Sequence, residues 1–236
     1  MIGGKIGIFG AHSIGKSTLC KYLSFRSGQI SQNSDEMIEV VRILENMGFV
    51  YNKDTTFDSQ EAVQYEQRVQ ELRIERRLKA GIIKLGILDR TVIDNYVYAE
   101  NKFPEQSEQR LYRPMMEWLE HHPYDALFRV PLWNKDQPIV DDSFREKDKP
   151  FQIAIEERLE RTLIKIGISY HTVPAKIFML NEDAQAIALR LYFDEHLGLS
   201  ELKGKNSKII TPWSDPAMEK GIDQSVTSIA RFLKDL

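Results

Sequence analysis

Gly10-Ala11-His12-Ser13-Ile14-Gly15-Lys16-Ser17 spells G-x-x-x-x-G-K-S/T, the pattern of a phosphate-binding loop. Its flanks suit the pattern. Lys5-Ile6-Gly7-Ile8-Phe9 upstream is a short apolar run fit for a buried strand, and Thr18-Leu19-Cys20-Lys21-Tyr22-Leu23 downstream continues a helix. Gly10 and Gly15 permit backbone angles that a Cβ forbids, so successive N–H groups can face phosphates. The helix N-terminus adds positive potential at the same spot. Lys16 is expected to reach the β- and γ-phosphates, and the Ser17 hydroxyl to ligate Mg²⁺. His12, Ser13, Ile14 and Thr18 complete the loop, with a structural role expected for His12. The stretch implies binding of a nucleoside triphosphate, ATP being the expected one.

The 236 residues can bury a full core, and one α/β domain with extensions is expected. A net charge of −3 without a long basic tract argues against nucleic acid as an obligatory partner. Cys20 stands alone, which excludes an internal disulfide and suits a reducing compartment. No apolar run approaches the roughly 18–20 residues that span a membrane. The chain begins directly with the expected first strand, so no signal peptide and a cytoplasmic location are expected.

Strand-like and helix-like segments alternate, the pattern of a parallel sheet with helices on both faces. Strands are expected at 6–9, 28–32, 82–88, 126–130 and 166–171. Helices are expected at 35–47, stopped by Gly48, then at 59–80, 93–100, 105–121 and 151–165. In the helix over 59–80, Ala62, Tyr65, Val69 and Leu72 form an apolar face. Gln60, Gln64, Gln67 and Glu71 form a polar stripe opposite it. Beyond Val173 the pattern changes: 184–193 reads as a helix, 203–207 as a loop, and a last helix starts near Pro216 with Asp215 as its cap. The expected architecture is a three-layer α/β/α phosphate-loop fold with a five-stranded parallel sheet over residues 1–175, and a helical extension over 176–236. The final helix either packs on the core or forms a homodimer contact.

Phosphate binding alone does not separate kinases from GTPases, helicases or transporters. Gly86-Ile87-Leu88-Asp89-Arg90-Thr91 narrows the choice, because an apolar strand there ends in Asp-Arg. Ligands of open α/β sheets sit at the carboxyl ends of strands. Phosphoryl transfer needs a carboxylate to organise Mg²⁺ or orient an acceptor hydroxyl, and cations to stabilise spread negative charge. Asp89 and Arg90 supply those groups; the plain alternative is a helix cap with a surface ion pair.

Leu88-Asp89-Arg90-Thr91 with Asp94, Asn95 and Tyr98 resembles the D-R-S/T-x-x-D-x-x-x-Y element of small phosphate-loop kinases. The chain is most similar to the AAA-like nucleotide-kinase group that includes the ribosylnicotinamide-kinase domain of NadR. Three further stretches resemble that group: Glu39-Val40-Val41-Arg42; Phe57-Asp58-Ser59-Gln60 with Gln67; and Tyr124 to Phe128 followed by Asp141-Asp142-Ser143-Phe144-Arg145. The likeness covers about residues 4 to 175, with a lid at about 134–150.

Each stretch also has its own chemistry. Glu39 and Arg42 lie three apart and share a helix face, where a carboxylate can take a proton from an acceptor hydroxyl and Arg42 can hold a substrate phosphate. The alternative is a surface ion pair. Gln60 offers a donor and an acceptor suited to a nucleobase or nicotinamide edge, unless it is merely solvated. Arg145 with Lys147 and Lys149 either closes over phosphates as a lid or lies in an exposed loop of balanced charge. These residues imply a Mg²⁺-dependent kinase whose acceptor is a nucleoside or nucleoside monophosphate, with Glu39 or Asp89 as the base. The alternatives are a ribosylnicotinamide-type kinase and a regulatory NTPase.

Overall fold

The computed structural model describes residues 4–31, 34–37, 40–51, 54–132 and 149–179 and six helical positions between 185 and 196; the side chains of 25–31, 34–37 and 42 are excepted. Gly4–Thr172 forms one compact unit and residues from Val173 onward belong to a second.

In the first unit, β1 (Gly4–Phe9) runs between β3 (Leu85–Asp89) and β4 (Ala126–Arg129), parallel to both. Central parallel strands are covered on both faces, which is why all three read as apolar runs. β2 (Ser34–Met37) and the two-residue β5 (His171–Thr172) complete the order β2-β3-β1-β4-β5. Helices flank this sheet. α1 (Lys16–Ser31) packs on β1, β2 and β3; α3 (Phe57–Lys79) packs on β3, β1 and on α4 (Val92–Lys102), which in turn meets α7 (Lys149–Ile166). Ile6, Ile8, Phe9, Leu19, Leu23, Ile87, Ile93, Met115 and Phe128 form the buried centre. A second apolar cluster of Val40, Leu44, Tyr51, Val63, Ile74, Ile83 and Leu88 lies where α2 (Val40–Glu45) and α3 cover β3.

The expected parallel α/β architecture is present, with differences at the edges. Residues 28–31 end α1 and are not a strand; the second strand is 34–37, overlapping the start of the segment expected to be helical. That strand reads S-D-E-M and has no apolar signature. It is held by backbone pairing, Ser34 against Leu85 and Met37 against Leu88, at the sheet's edge. The helix expected over 35–47 shrinks to α2. The fifth strand moves likewise: α7 runs to Ile166, Gly167 ends it at φ +66°, and pairing starts only at His171. The helix expected over 105–121 is three pieces, α5 (Pro104–Ser107), a five-residue π-turn (Glu108–Tyr112) and α6 (Arg113–His121). Pro114, at the start of α6, has no N–H to donate, and the helix widens just before it.

The second unit contains a 3₁₀ turn (Ala175–Met179) and helical positions at 185, 188, 189, 192 and 193, within the helix expected over 184–193, and at 196 beyond it. There Tyr192 packs edge-on against Phe193 at 5.1 Å and stacks on His196 at 4.1 Å. Of the lid expected over about 134–150, the last two residues begin α7 and the rest, with Asp141, Asp142 and Arg145, lies outside the described residues, as do the loop over 203–207, the helix from Pro216 and Glu39. Among the described residues no helix is long and apolar enough to cross a membrane.

Candidate active site

β1 delivers the chain to Gly10 and α1 takes it away from Lys16, so the phosphate-loop sequence bridges the central strand and a helix N-terminus. The loop is tightly turned: φ is +143° at Gly10, +57° at Ser13 and +94° at Gly15. A Cβ on Gly10 would run into the Val130 carbonyl oxygen and Ile14 Cδ1, so the position requires glycine on both counts. Lys16 is buried and its Nζ donates to the Ala11 carbonyl; Ser17 is half-buried and Thr18 exposed. The His12 ring lies against Phe151 of α7, its Nδ1 is 3.0 Å from the Tyr98 hydroxyl, and Gln152 Nε2 donates to its carbonyl at 2.6 Å. His12 thus ties the loop to α4 and α7.

Asp89 ends β3 in register with Ile8, two residues before Gly10, and is buried. Arg90 follows at φ +80°, left-handed backbone that a non-glycine residue rarely adopts. Its N–H donates to the Ile8 carbonyl at 3.0 Å, and its guanidinium lies 4.7 Å from the centre of the Tyr98 ring. Thr91 caps α4 reciprocally with Asp94: Thr91 N and Oγ1 donate to Asp94 Oδ2 at 2.9 and 2.8 Å, and Thr91 Oγ1 accepts from Ile93 N. Asp94 Oδ1 meanwhile accepts from Gly10 N at 2.8 Å. One buried carboxylate therefore clasps the phosphate loop to the Asp-Arg turn. Burial pushes the Asp94 carboxyl above its usual range, opposed by the charges of Lys16 and Arg90 and by the hydrogen bonds from Gly10 and Thr91. The sequence showed Asp94 as part of a motif; its grip on Gly10 spans 84 positions and had no local signal.

The helix α3 reverses the expected arrangement of faces. Tyr65 and Val69 are 63% and 55% exposed, whereas Gln60, Gln64, Gln67 and Glu71 are the buried stripe. Gln60 Nε2 donates to Thr55 Oγ1 at 2.9 Å, and Lys102 Nζ donates to the Thr55 carbonyl. Gln64 Nε2 donates to the Val92 carbonyl at 3.0 Å. Gln67 contacts Glu71, Asn95 and the Arg90 carbonyl. The polar face is turned inward because it satisfies backbone carbonyls at the start of α4 and meets a lysine buried in β1. Of the expected residues, the structure joins the phosphate loop with Asp89, Arg90 and Asp94. Gln60 sits apart on the α3 face beside Thr55, and Arg42 is seen only as backbone of α2.

No curated protein matches the chain. Among solved structures it is similar to NadR in complex with NAD and AMP-PNP, with a TM-score of 0.55 and 17% identity over 73% of this chain and 44% of that one. It is similar to deoxyadenosine kinase from M. mycoides with dCMP and dCDP bound (TM-score 0.50, 16% identity, 82% of this chain and 99% of that one). Thymidylate kinase from Ehrlichia chaffeensis gives a TM-score of 0.54 at 14% identity, over 82% of this chain and 98% of that one. The chain spans less than half the length of the NadR chain. These likenesses give a phosphate-loop fold of the nucleoside and nucleotide kinase kind. A family model described as an AAA domain matches residues 5–178, from the first strand through the loop, the Asp-Arg turn and α7, and the chain belongs to that family.

Proposed function

We propose that this protein transfers the γ-phosphoryl group of ATP to a nucleoside or nucleoside monophosphate. The observation that carries the proposal is the Asp94 clasp, which ties Gly10 of the phosphate loop to the cap beneath Asp89-Arg90. Phosphoryl transfer requires those two elements together. In this reading the loop amides and Lys16 hold the β- and γ-phosphates, and Arg90 stabilises charge on the transferring group, joined by Arg145 from the lid. Arg42 and Gln60 bind the acceptor, and Glu39 or Asp89 takes its hydroxyl proton.

The donor set fits Mg²⁺: the Ser17 hydroxyl and the Asp89 carboxylate are hard oxygen ligands beside the loop. Among the described residues no three His, Cys, Asp or Glu side chains converge, so phosphate oxygens and water would complete the coordination. Bound there, the ion would neutralise charge between the β- and γ-phosphates. A cytoplasmic location accords with ATP as donor and with the buried thiol of Cys20.

The likeness to NadR, solved in complex with NAD and AMP-PNP and in complex with NR, supports ribosylnicotinamide as one acceptor to test. The experiment incubates the chain with MgATP and, separately, nucleosides, nucleoside monophosphates and ribosylnicotinamide, and follows phosphorylated product. Acceptor-dependent ADP release is expected for one class, with complete loss in Lys16→Ala and retained fold. ATP binding with no acceptor in any class would refute the kinase reading and favour a regulatory NTPase.

A further inference from the structure

Beneath the Asp-Arg turn lies a buried polar network that the proposed reaction does not use directly. Its centre is Glu71, fully enclosed on α3. Oε2 accepts from Lys5 Nζ at 3.3 Å and from Trp118 Nε1 at 2.9 Å; Oε1 accepts from the Tyr124 hydroxyl at 2.7 Å and from Gln67 Nε2 at 3.0 Å. Lys5 is itself held by Glu75 and by the His122 carbonyl, both at 2.7 Å. Donors from β1, α6 and the segment after α6 thus fix one carboxylate, and it in turn fixes the carboxamide one helical turn before it. That carboxamide reaches the turn. Gln67 Nε2 is 3.2 Å from the Arg90 carbonyl oxygen, and Gln67 Oε1 accepts from Asn95 Nδ2 at 3.3 Å.

We propose that Gln67, anchored by Glu71 and Asn95, is a positioning residue for Arg90: it holds the Arg90 carbonyl and so keeps the left-handed turn that directs the guanidinium over Tyr98 toward the phosphate loop. The inference rests on the reading that Arg90 acts on the transferring phosphoryl group. The conformation needs such a hold. At φ +80° an arginine is strained, and strained backbone persists only where its surroundings over-determine it. The Arg90 N–H is tied to Ile8 in β1. Without Gln67, the peptide joining Arg90 to Thr91 loses the tie on its carbonyl side. The guanidinium then leaves the geometry in which it opposes Tyr98, and a displacement of about 1 Å at a reacting centre costs on the order of 100-fold in rate.

The test uses the full chain with MgATP and the acceptor identified above. Gln67→Met keeps length and removes every hydrogen bond; Gln67→Glu keeps shape, loses the donor and sets a second carboxylate beside Glu71. Both are expected to lower kcat about 10- to 100-fold while leaving the KM for ATP and the binding of a fluorescent ADP within about twofold. Amide exchange at Arg90 and Thr91 is expected to accelerate about 10-fold or more relative to β1. A network serving only stability would lower the melting temperature and leave kcat per folded molecule unchanged, and that result overturns the inference. Should both variants fail to fold, Asn95→Leu removes the support of Gln67 Oε1 from α4, and unchanged kcat and exchange there overturn it equally. Arg90→Ala separates the two readings. Normal turnover in Arg90→Ala sinks the assignment of Arg90 and the inference with it. Loss in Arg90→Ala beside normal turnover in Gln67→Met sinks the positioning role alone. In the double variant, a loss no larger than that of Arg90→Ala supports positioning, and additive losses refute it.

Discussion

Arg90 holds a backbone conformation that favours glycine, and this permits a substitution expected to abolish activity at little cost in stability. At φ +80° a residue with a Cβ carries about 1–2 kcal/mol of strain that glycine does not. Glycine loses more backbone entropy on folding than alanine, a cost of about 0.5–1 kcal/mol. The difference leaves Arg90→Gly more stable than Arg90→Ala by about 0.5–1 kcal/mol. At a residue with ordinary φ the order is reversed. Removing the guanidinium from its place 4.7 Å over Tyr98 costs both variants about 0.5–1 kcal/mol. Arg90→Gly should therefore fall near the unsubstituted protein and Arg90→Ala below it, while neither transfers phosphate. Urea unfolding followed by far-ultraviolet circular dichroism gives the stabilities, and the acceptor assay gives the activities. An alanine variant as stable as the glycine variant would refute the strain argument, and with it the idea that the turn is held in place for the sake of its side chain.

Two other perturbations test the frame around the site. Asp94→Ala leaves the donors of Gly10 N, Thr91 N and Thr91 Oγ1 without their acceptor, and a destabilisation of about 2–4 kcal/mol is expected together with weakened MgATP binding; Asp94→Asn keeps one acceptor oxygen and should lose less, as read by urea midpoints and fluorescent-nucleotide titration. At Glu75, burial pushes the carboxyl up, but hydrogen bonds from Lys5 and His122 outweigh it and hold it below its ordinary value of 4.5. Its ionised form therefore stabilises the fold above that pH, and the contribution is lost as pH falls through the lower native value. Melting temperatures of Glu75→Gln should lie below those of the unsubstituted protein at neutral pH and converge with them in acid; a constant gap across the range would show that Glu75 does not act through its charge.

What the sequence revealed and what it concealed differ in range. Gly10 to Ser17 and Leu88 to Thr91 are contiguous, and their chemistry is written in neighbouring residues, so both were legible. Gln67 and Glu71 were visible as members of one stripe, because helical period fixes which residues share a face. Period does not say which face turns inward. Tyr65 and Val69 make the apolar stripe the natural choice, yet the buried side carries the polar stripe beside Val63 and Ile74, because the partners of that stripe, Lys5, Tyr124, Trp118 and the Arg90 carbonyl, come from distant parts of the chain. One signal was available: a lysine inside the apolar run Lys5–Phe9 must find a carboxylate if it is buried, and Glu71 and Glu75 lie one turn apart on α3. The strand Ser34–Met37 carried no such signal, since edge pairing with β3 draws on backbone alone.

The same distinction explains why the Asp-Arg turn looks simple in sequence and is not so in space. Its N–H is tied by Ile8 of β1, its carbonyl by Gln67 of α3 and its side chain by Tyr98 of α4. No single restraint secures the turn with margin, because one hydrogen bond contributes about 0.5–1.5 kcal/mol net, against about 1–2 for the left-handed conformation. Together they exceed it. Asp94 then binds this turn to Gly10, so a shift in α3 is felt at the phosphate loop through two buried hydrogen-bonding side chains, Gln67 and Asp94. Under the proposed reaction, turnover is expected to depend on residues that need not touch a substrate. Substitutions along α3 should divide into those that lower stability alone, at Ile74 and Val63, and those that lower turnover at unchanged nucleotide binding, at Gln67.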